Sequence, residues 1–401
     1  MDSMGLVSYL CAQWVVIGVA VMLAYWGALQ LLFRSLREAG PAHPCLTLGY
    51  AVIGALALGP GGTLLFLTRA GVYEEAIAWG VAFFMLALDR VWAWYRTGRR
   101  RALVMAVIFG VAAANARPSA APACVVLGLM VVALSRWQVS RATSGAPAAA
   151  DAVTRGGRRF VLAAALCLVL LPGLSAAGVF WLKFGTPLPD IRLNEQIANA
   201  PWWVDIRHRN GDHTAGLIFL PTELVVYLRP DAVTFSRTWP FVDFRFPIEP
   251  ILWVPPLPAG GAYTNKFEPF TSATAMMPLP WLVTVSVAIW LGVSGWRMRH
   301  RRPPAWGISH LSPPDWIVAV GSLASAAGMV ALVVTTIGIT NRYLGDFYAI
   351  TAVGMAVGPR VLLPLLGARP RFVAPFVLVA VPLVAWSMFA IFALNFRLVF
   401  L

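Results

Sequence analysis

The chain alternates apolar runs of roughly 20 residues with short polar breaks, the run length that crosses a hydrocarbon core as an α-helix. On that pattern membrane helices are predicted near 5–33, 46–68, 72–95, 102–116, 119–135, 160–182, 279–296, 316–340, 344–366 and 372–395. Helices are the expected answer because backbone N–H and C=O groups in lipid must be satisfied within the segment itself. Two places interrupt the pattern. Read as one helix, 102–135 would run to about 50 Å. A break is therefore predicted at Asn115-Ala-Arg117-Pro118, since a proline disfavours helical backbone in the residue before it. Gly59-Pro60-Gly61-Gly62 predicts a kink or an unwound turn in the second span.

The expected fold is therefore an all-α polytopic integral membrane protein of about ten transmembrane helices with one large extracytoplasmic loop. It divides into helices one to six in 1–182, a loop or cap in 183–278, and helices seven to ten in 279–401. Composition agrees. Of 401 residues 59% are hydrophobic and only 12% charged, about half the charge of a soluble domain. Cys11, Cys45, Cys124 and Cys167 lie in or at the ends of apolar segments without metal-like spacing, and read as small core residues.

The net charge of +14 is informative through its distribution. A nucleic-acid binder gathers cations on one folded face, whereas here arginines fall in bursts between apolar runs, so no nucleic-acid partner is expected. Connections at 34–45, 96–101, 136–159, 297–315 and 367–371 hold 17 arginines. By the positive-inside rule every second connection is cytoplasmic, which leaves the long loop and both termini outside. An outside amino terminus beginning Met1-Asp2-Ser3-Met4 has no cleavable leader ahead of it, so one further span upstream is expected. The long loop carries 8 bases and 9 acids, thirteen prolines, and Trp202, Trp203, Tyr227, Trp239, Phe241, Phe244, Phe246 and Trp253. Such aromatic density implies packing, either as a small cap or along the membrane surface.

No Walker loop, GxGxxG, GxSxG or HExxH occurs, so nucleotide hydrolysis and zinc proteolysis have no support, and no metal ligand set or cofactor is expected. His208 and His213 share the loop with Asp205 and Asp212, where a solvated surface is the better reading. More informative are ionisable residues at the outer ends of spans, where each is costly unless paired or wetted. They are Arg69, Glu74 and Glu75 around Tyr73, Arg117 beside Asn115, and Arg342 with Asp346. Arginine's planar fork suits phosphate oxygens, and a nearby carboxylate can take a proton from a sugar hydroxyl. Simpler explanations exist for each: Glu74 and Glu75 suit a helix N-terminus, and Arg342 and Asp346 are spaced to pair at i,i+4. Their coincidence at one membrane depth favours a shared outer site of Arg69, Tyr73, Asn115, Arg117, Arg342 and Asp346, with Glu74 and Glu75 as candidate bases.

The stretches RAGVYEEAIAWGVAFFMLAL at 69–88, NARPSA at 115–120, FWLKFGTPL at 180–188 and NRYLGDF at 341–347 resemble a group of bacterial polytopic membrane proteins placed near the GT-C class of glycosyltransferases. The resemblance implies a plasma-membrane enzyme of the bacterial cell envelope. It would move a sugar from a polyprenyl-phosphate carrier to a glycan or lipid acceptor on the extracytoplasmic face. Members of that class carry their catalytic acid in a first outer loop that follows a helix starting inside. No acid here matches that position, so the chain is expected to lack that helix and loop. Two other readings remain: a transporter or flippase of lipid-linked saccharide, and a polysaccharide polymerase or ligase.

Overall fold

The computed structural model describes residues 3–39, 44–67, 72–143, 155–187, 215–229, 233–243, 265–266, 271–300, 311–335, 338–339 and 344–400, with scattered positions between 201 and 213. Its first half is six helices: α1 (Ser3–Glu38), α2 (Pro44–Leu58), α3 (Val72–Thr97), α4 (Arg100–Ala116), α5 (Ala120–Thr143) and α6 (Arg155–Phe184). A short helix α7 (Leu220–Leu228) and the four-residue α8 (Ala273–Met276) belong to the long loop. The second half is α9 (Pro278–Arg299), α10 (Pro313–Ala331), α11 (Leu344–Val357), α12 (Pro359–Ala368) and α13 (Val373–Phe400). Among the described residues, eight helical segments are long and apolar enough to cross a membrane, or nine if the bent pair α11 and α12 counts as one span. The chain is thus a mainly helical, multi-pass membrane protein.

Both predicted interruptions are present. Turns at 59–62 end α2, and a 3-10 turn at Thr63–Leu67 completes that span. Extended backbone at Arg117 (φ −143°, ψ 106°) ends α4 before α5 begins. Two predicted helices need correction. The one expected over 316–340 stops at Ala331 and gives way to a 3-10 turn at Val333–Thr335 and a two-residue strand at Gly338–Ile339. The one expected over 344–366 is broken between α11 and α12 by a 40° bend. Pro359 at the start of α12 has no N–H to continue the ladder of α11, so the helix restarts there. An apolar run carries no mark of such a bend, which is why hydropathy alone joins the halves.

Helix α3 lies against α1, α4, α5 and α11 and is the most enclosed of the eight spans, while α6 is the least. Lipid gives helices little hydrophobic reason to associate, so close approach through small residues and buried hydrogen bonds matter more. A Cβ at Gly328 of α10 would sit 2.8 Å from the backbone of Ala123 in α5, so a larger residue there would push the two helices apart. Nearby, Ser325 donates to the Ala123 carbonyl at 2.7 Å and the Trp92 indole donates to Ser322 at 2.9 Å. Tyr50 and Tyr348 likewise donate their hydroxyls to the Met355 and Leu58 carbonyls, each at 3.1 Å.

Contacts at helix ends define two ends of the bundle. At the arginine-rich end Glu38, closing α1, accepts from Arg96 and Arg360, and Asp315, opening α10, lies 3.1 Å from Arg96 and 3.6 Å from Arg360. Arg360 also lies over the Trp92 ring at 4.8 Å. One helical turn or two further in, the fully buried Asp89 accepts from Arg34 at 2.8 Å and from Arg90 at 2.6 Å. The opposite end carries the long loop. Two of its described pieces differ in burial. Helix α7 packs on the bundle through Val226 and Tyr227, and the Gly216 amide donates to the Thr335 carbonyl at 2.8 Å. A hairpin pairing Thr234–Phe235 with Val242–Asp243 instead leaves Phe235, Trp239 and Phe241 exposed, with Trp239 against Phe392 and Phe396 of α13.

Candidate functional site

The loop end gains its polar centre from the break between α4 and α5. Because Arg117 is extended, its side chain leaves the line of α4 and crosses α3 at Gly80, where a Cβ would stand 2.4 Å from that of Arg117. Only a glycine lets the arginine stem pass so close. The guanidinium reaches Asp346 in the first turn of α11, with Nη2 donating at 2.7 Å and Nε at 3.4 Å. Ser119, just past the break, donates its hydroxyl to the same carboxylate at 3.1 Å. Asp346 is fully buried, and the Arg117 side chain keeps 16% of its surface exposed. Its position in the first helical turn also sets the acid against the positive end of the α11 dipole. The result is an arginine with a fixed orientation at the mouth of the bundle.

Beside it, α3 and the end of α4 form a groove of about 410 Å³ lined by Glu75, Ala76, Trp79, Phe83 and Ala116. Trp79 stacks on Phe83 with centroids 5.2 Å apart, and Phe83 on Phe109 at 6.3 Å. These three rings make an apolar strip along α3 and α4, and the partly exposed Glu75 and Ala116, the residue before Arg117, line the same groove. Stacked rings offer a flat face to a sugar ring or an isoprenoid tail, and a carboxylate at the rim can hydrogen-bond a hydroxyl.

Of the residues predicted from sequence, Arg117 and Asp346 meet directly, and Glu75 lines the adjoining groove. Asn115 lies at the same end, but its amide is committed to the Val111 carbonyl at 2.9 Å and the Ser175 hydroxyl at 2.8 Å. Arg69 and Arg342 lie outside the described residues, as do the side chains of Tyr73 and Glu74. The described partner of Asp346 is Arg117, more than 200 residues away in sequence, and Arg342, its simpler alternative partner at i,i+4, lies outside the described residues. His208 and Asp212 pair at 3.2 Å on exposed surface, in keeping with a solvated loop. Among the described residues no group of three or more His, Cys, Asp or Glu could hold a metal ion.

Sequence reasoning passed over Glu223. It sits in the middle of α7, on the face that also buries Phe219, Val226 and Tyr227, and is itself fully buried. Both of its carboxylate oxygens are without a hydrogen-bond partner among the described residues. Burial pushes its carboxyl well above the ordinary carboxylate range. The available signal was an acid at the centre of the apolar run LPTELVVYL, at helical spacing from its apolar neighbours. Ser119, Trp79 and Phe83 were also missed, for they carry no charge and look like any other span residues.

Comparison of the chain with family models, with curated proteins and with solved structures finds no match.

Proposed function

We propose that the loop end is a binding site for a lipid-linked phosphate sugar, and that the protein is a GT-C-like glycosyltransferase of the bacterial plasma membrane. The observation that carries the reading is Arg117, held by the buried Asp346 and opening beside an aromatic groove. A guanidinium fixed in this way is pre-oriented for phosphate oxygens, and the groove suits a prenyl tail or a sugar face. In this reading all ten long segments cross the bilayer. The 17 residues of α4 cover about 26 Å, just enough for a span. The arginine-rich end is cytoplasmic, and the loop and both termini of the chain are extracytoplasmic. Arg69 and Arg342 would join Arg117 on the phosphate. During transfer the acceptor oxygen bonds to the anomeric carbon while the bond from that carbon to the phosphate oxygen breaks. The bonding pair leaves with the phosphate, and the acceptor proton passes to a carboxylate, for which Glu75 and Glu74 are the candidates.

A carrier of lipid-linked saccharide is the second reading, favoured by the ion-pair network that draws α1, α3, α10 and α12 together at the arginine-rich end. Protein in lipid nanodiscs, titrated with a polyprenyl phosphate, tests the shared binding step. Arg117→Lys keeps a cation for Asp346 but loses the planar fork, so affinity is expected to fall about tenfold, or roughly 1.4 kcal/mol. Unchanged affinity would remove Arg117 from the site. Sugar transfer to an added acceptor would favour the enzyme, and binding with translocation but no transfer the carrier.

A further inference from the structure

Helix α7 is attached to the bundle at several points that have nothing to do with Glu223. Thr274 of α8 donates to the Leu228 and Arg229 carbonyls at 2.8 and 3.0 Å, and Ser272 also donates to the Arg229 carbonyl. Tyr227 stacks on Phe347 at 4.9 Å, immediately after Asp346 in α11. The Tyr227 stack reaches the first turn of α11, next to the residue that meets Arg117. Into the same buried face the sequence places Glu223, one turn before Tyr227 and one turn after Phe219. A leucine would fill that position without a polar cost.

The surroundings supply nothing among the described residues to balance a negative charge there. Among the described residues, the 3-10 turns at Leu217–Phe219 and Val333–Thr335 and helix α8 carry no charged side chain. From α11 the described contact is Phe347, and the neighbouring Asp346 has its charge met by Arg117. Arg229 caps the far end of α7. An isolated carboxylate cannot stay ionised in such a place, so it either takes a proton or moves to water.

We propose that Glu223 is a proton-binding site, and that its proton holds α7 down over the N-terminus of α11. With the proton bound the helix packs as a neutral apolar face. When the proton leaves, the carboxylate seeks water, α7 lifts, and the ends of α4, α5 and α11 that carry Arg117, Ser119 and Asp346 are uncovered. The ligand is a proton, and the inference does not rest on sugar transfer. The direction of the pH effect follows from burial. Docking raises the proton affinity of the carboxyl, so docking is strongest at low pH. It weakens as pH climbs from the ordinary carboxylate value, about 4.3, toward the raised one, and levels off above that.

Hydrogen–deuterium exchange of the whole protein in nanodiscs, from about pH 5 to 8 and corrected for intrinsic exchange, reads this directly. The opening equilibrium of 217–228 should rise with pH, by at most about tenfold per unit for one proton, while that of 81–92 within α3 stays level. In Glu223→Gln, a neutral carboxamide of the same shape, and in Glu223→Leu, the profile of 217–228 should be level and as protected as wild type at low pH. A level wild-type profile overturns the proposal even if neither variant folds. So does a slope that survives in either variant. Loss of phosphate-lipid binding with the pH slope intact would instead remove the reading of the Arg117 site and leave this one standing.

Discussion

At the arginine-rich end every acid among the described residues is shared: Glu38 and Asp315 lie between Arg96 and Arg360, and Asp89 lies between Arg34 and Arg90. At the loop end Asp346 has one described arginine and one hydroxyl, and Glu223 has neither. Both ends bury charge, so burial by itself does not mark a site. The difference lies in redundancy. A network in which each acid keeps a second cation tolerates the loss of one member and behaves as a clasp. A single pair cannot lose a member without leaving a charge alone in a medium of low dielectric. A carboxyl with no partner at all is stable only as a neutral acid, and that makes it sensitive to its surroundings.

Substitutions at the two ends should therefore differ in cost. The largest effect is expected for Arg117→Ala, which strands the fully buried Asp346 and should cost about 3–5 kcal/mol of stability in denaturant or thermal unfolding in detergent. A double change, Arg117→Met with Asp346→Leu, should recover most of that loss, because two apolar groups need no compensation. Failure of the double variant to recover would mean that the pair orders the bundle in some way beyond charge balance.

At the other end Arg360→Ala should cost less, about 1.5–3 kcal/mol, since Arg96 remains within reach of both Glu38 and Asp315. Equal losses at the two ends would break the contrast between shared and single partners. The smallest change is Ser119→Ala. It removes one hydrogen bond to Asp346 while the arginine stays, and about 0.5–1.5 kcal/mol is expected by the same unfolding measurement. A loss as large as that of Arg117→Ala would mean that the hydroxyl, rather than the cation, decides whether the acid can be buried.

Much of the fold was legible along the chain. Lengths of apolar runs located the helices, and glycine and proline located the breaks at 59–62 and 117–118, because their effects on backbone geometry act within a few residues. The bend at Pro359 and the early end of α10 at Ala331 escaped, since both lie inside apolar sequence that reads as continuous span. For the site the division is similar. Charged residues near span ends announced Arg117 and Asp346 individually, for an ion in lipid is costly wherever it sits. The same rule applied to the long loop would have singled out Glu223, but a loop is expected to be wet, so its acids drew no attention.

By itself, then, the sequence determined that this is a helical membrane protein, which segments are apolar enough to cross, and which connections carry the arginines. Those properties are sums over neighbouring residues, and the bilayer reads them locally. Only the tertiary structure decided who pairs with whom. Asp346 meets Arg117, far away in sequence, because Gly80 lets the arginine stem cross α3 and the extended backbone at 117 turns it toward α11. Glu223 could have faced water, yet α7 packs with that face down, through Tyr227 on Phe347. Electrostatic energy depends on distance and on the surrounding medium. Both are set by segments far apart in the chain, so these assignments exist only once the helices are packed.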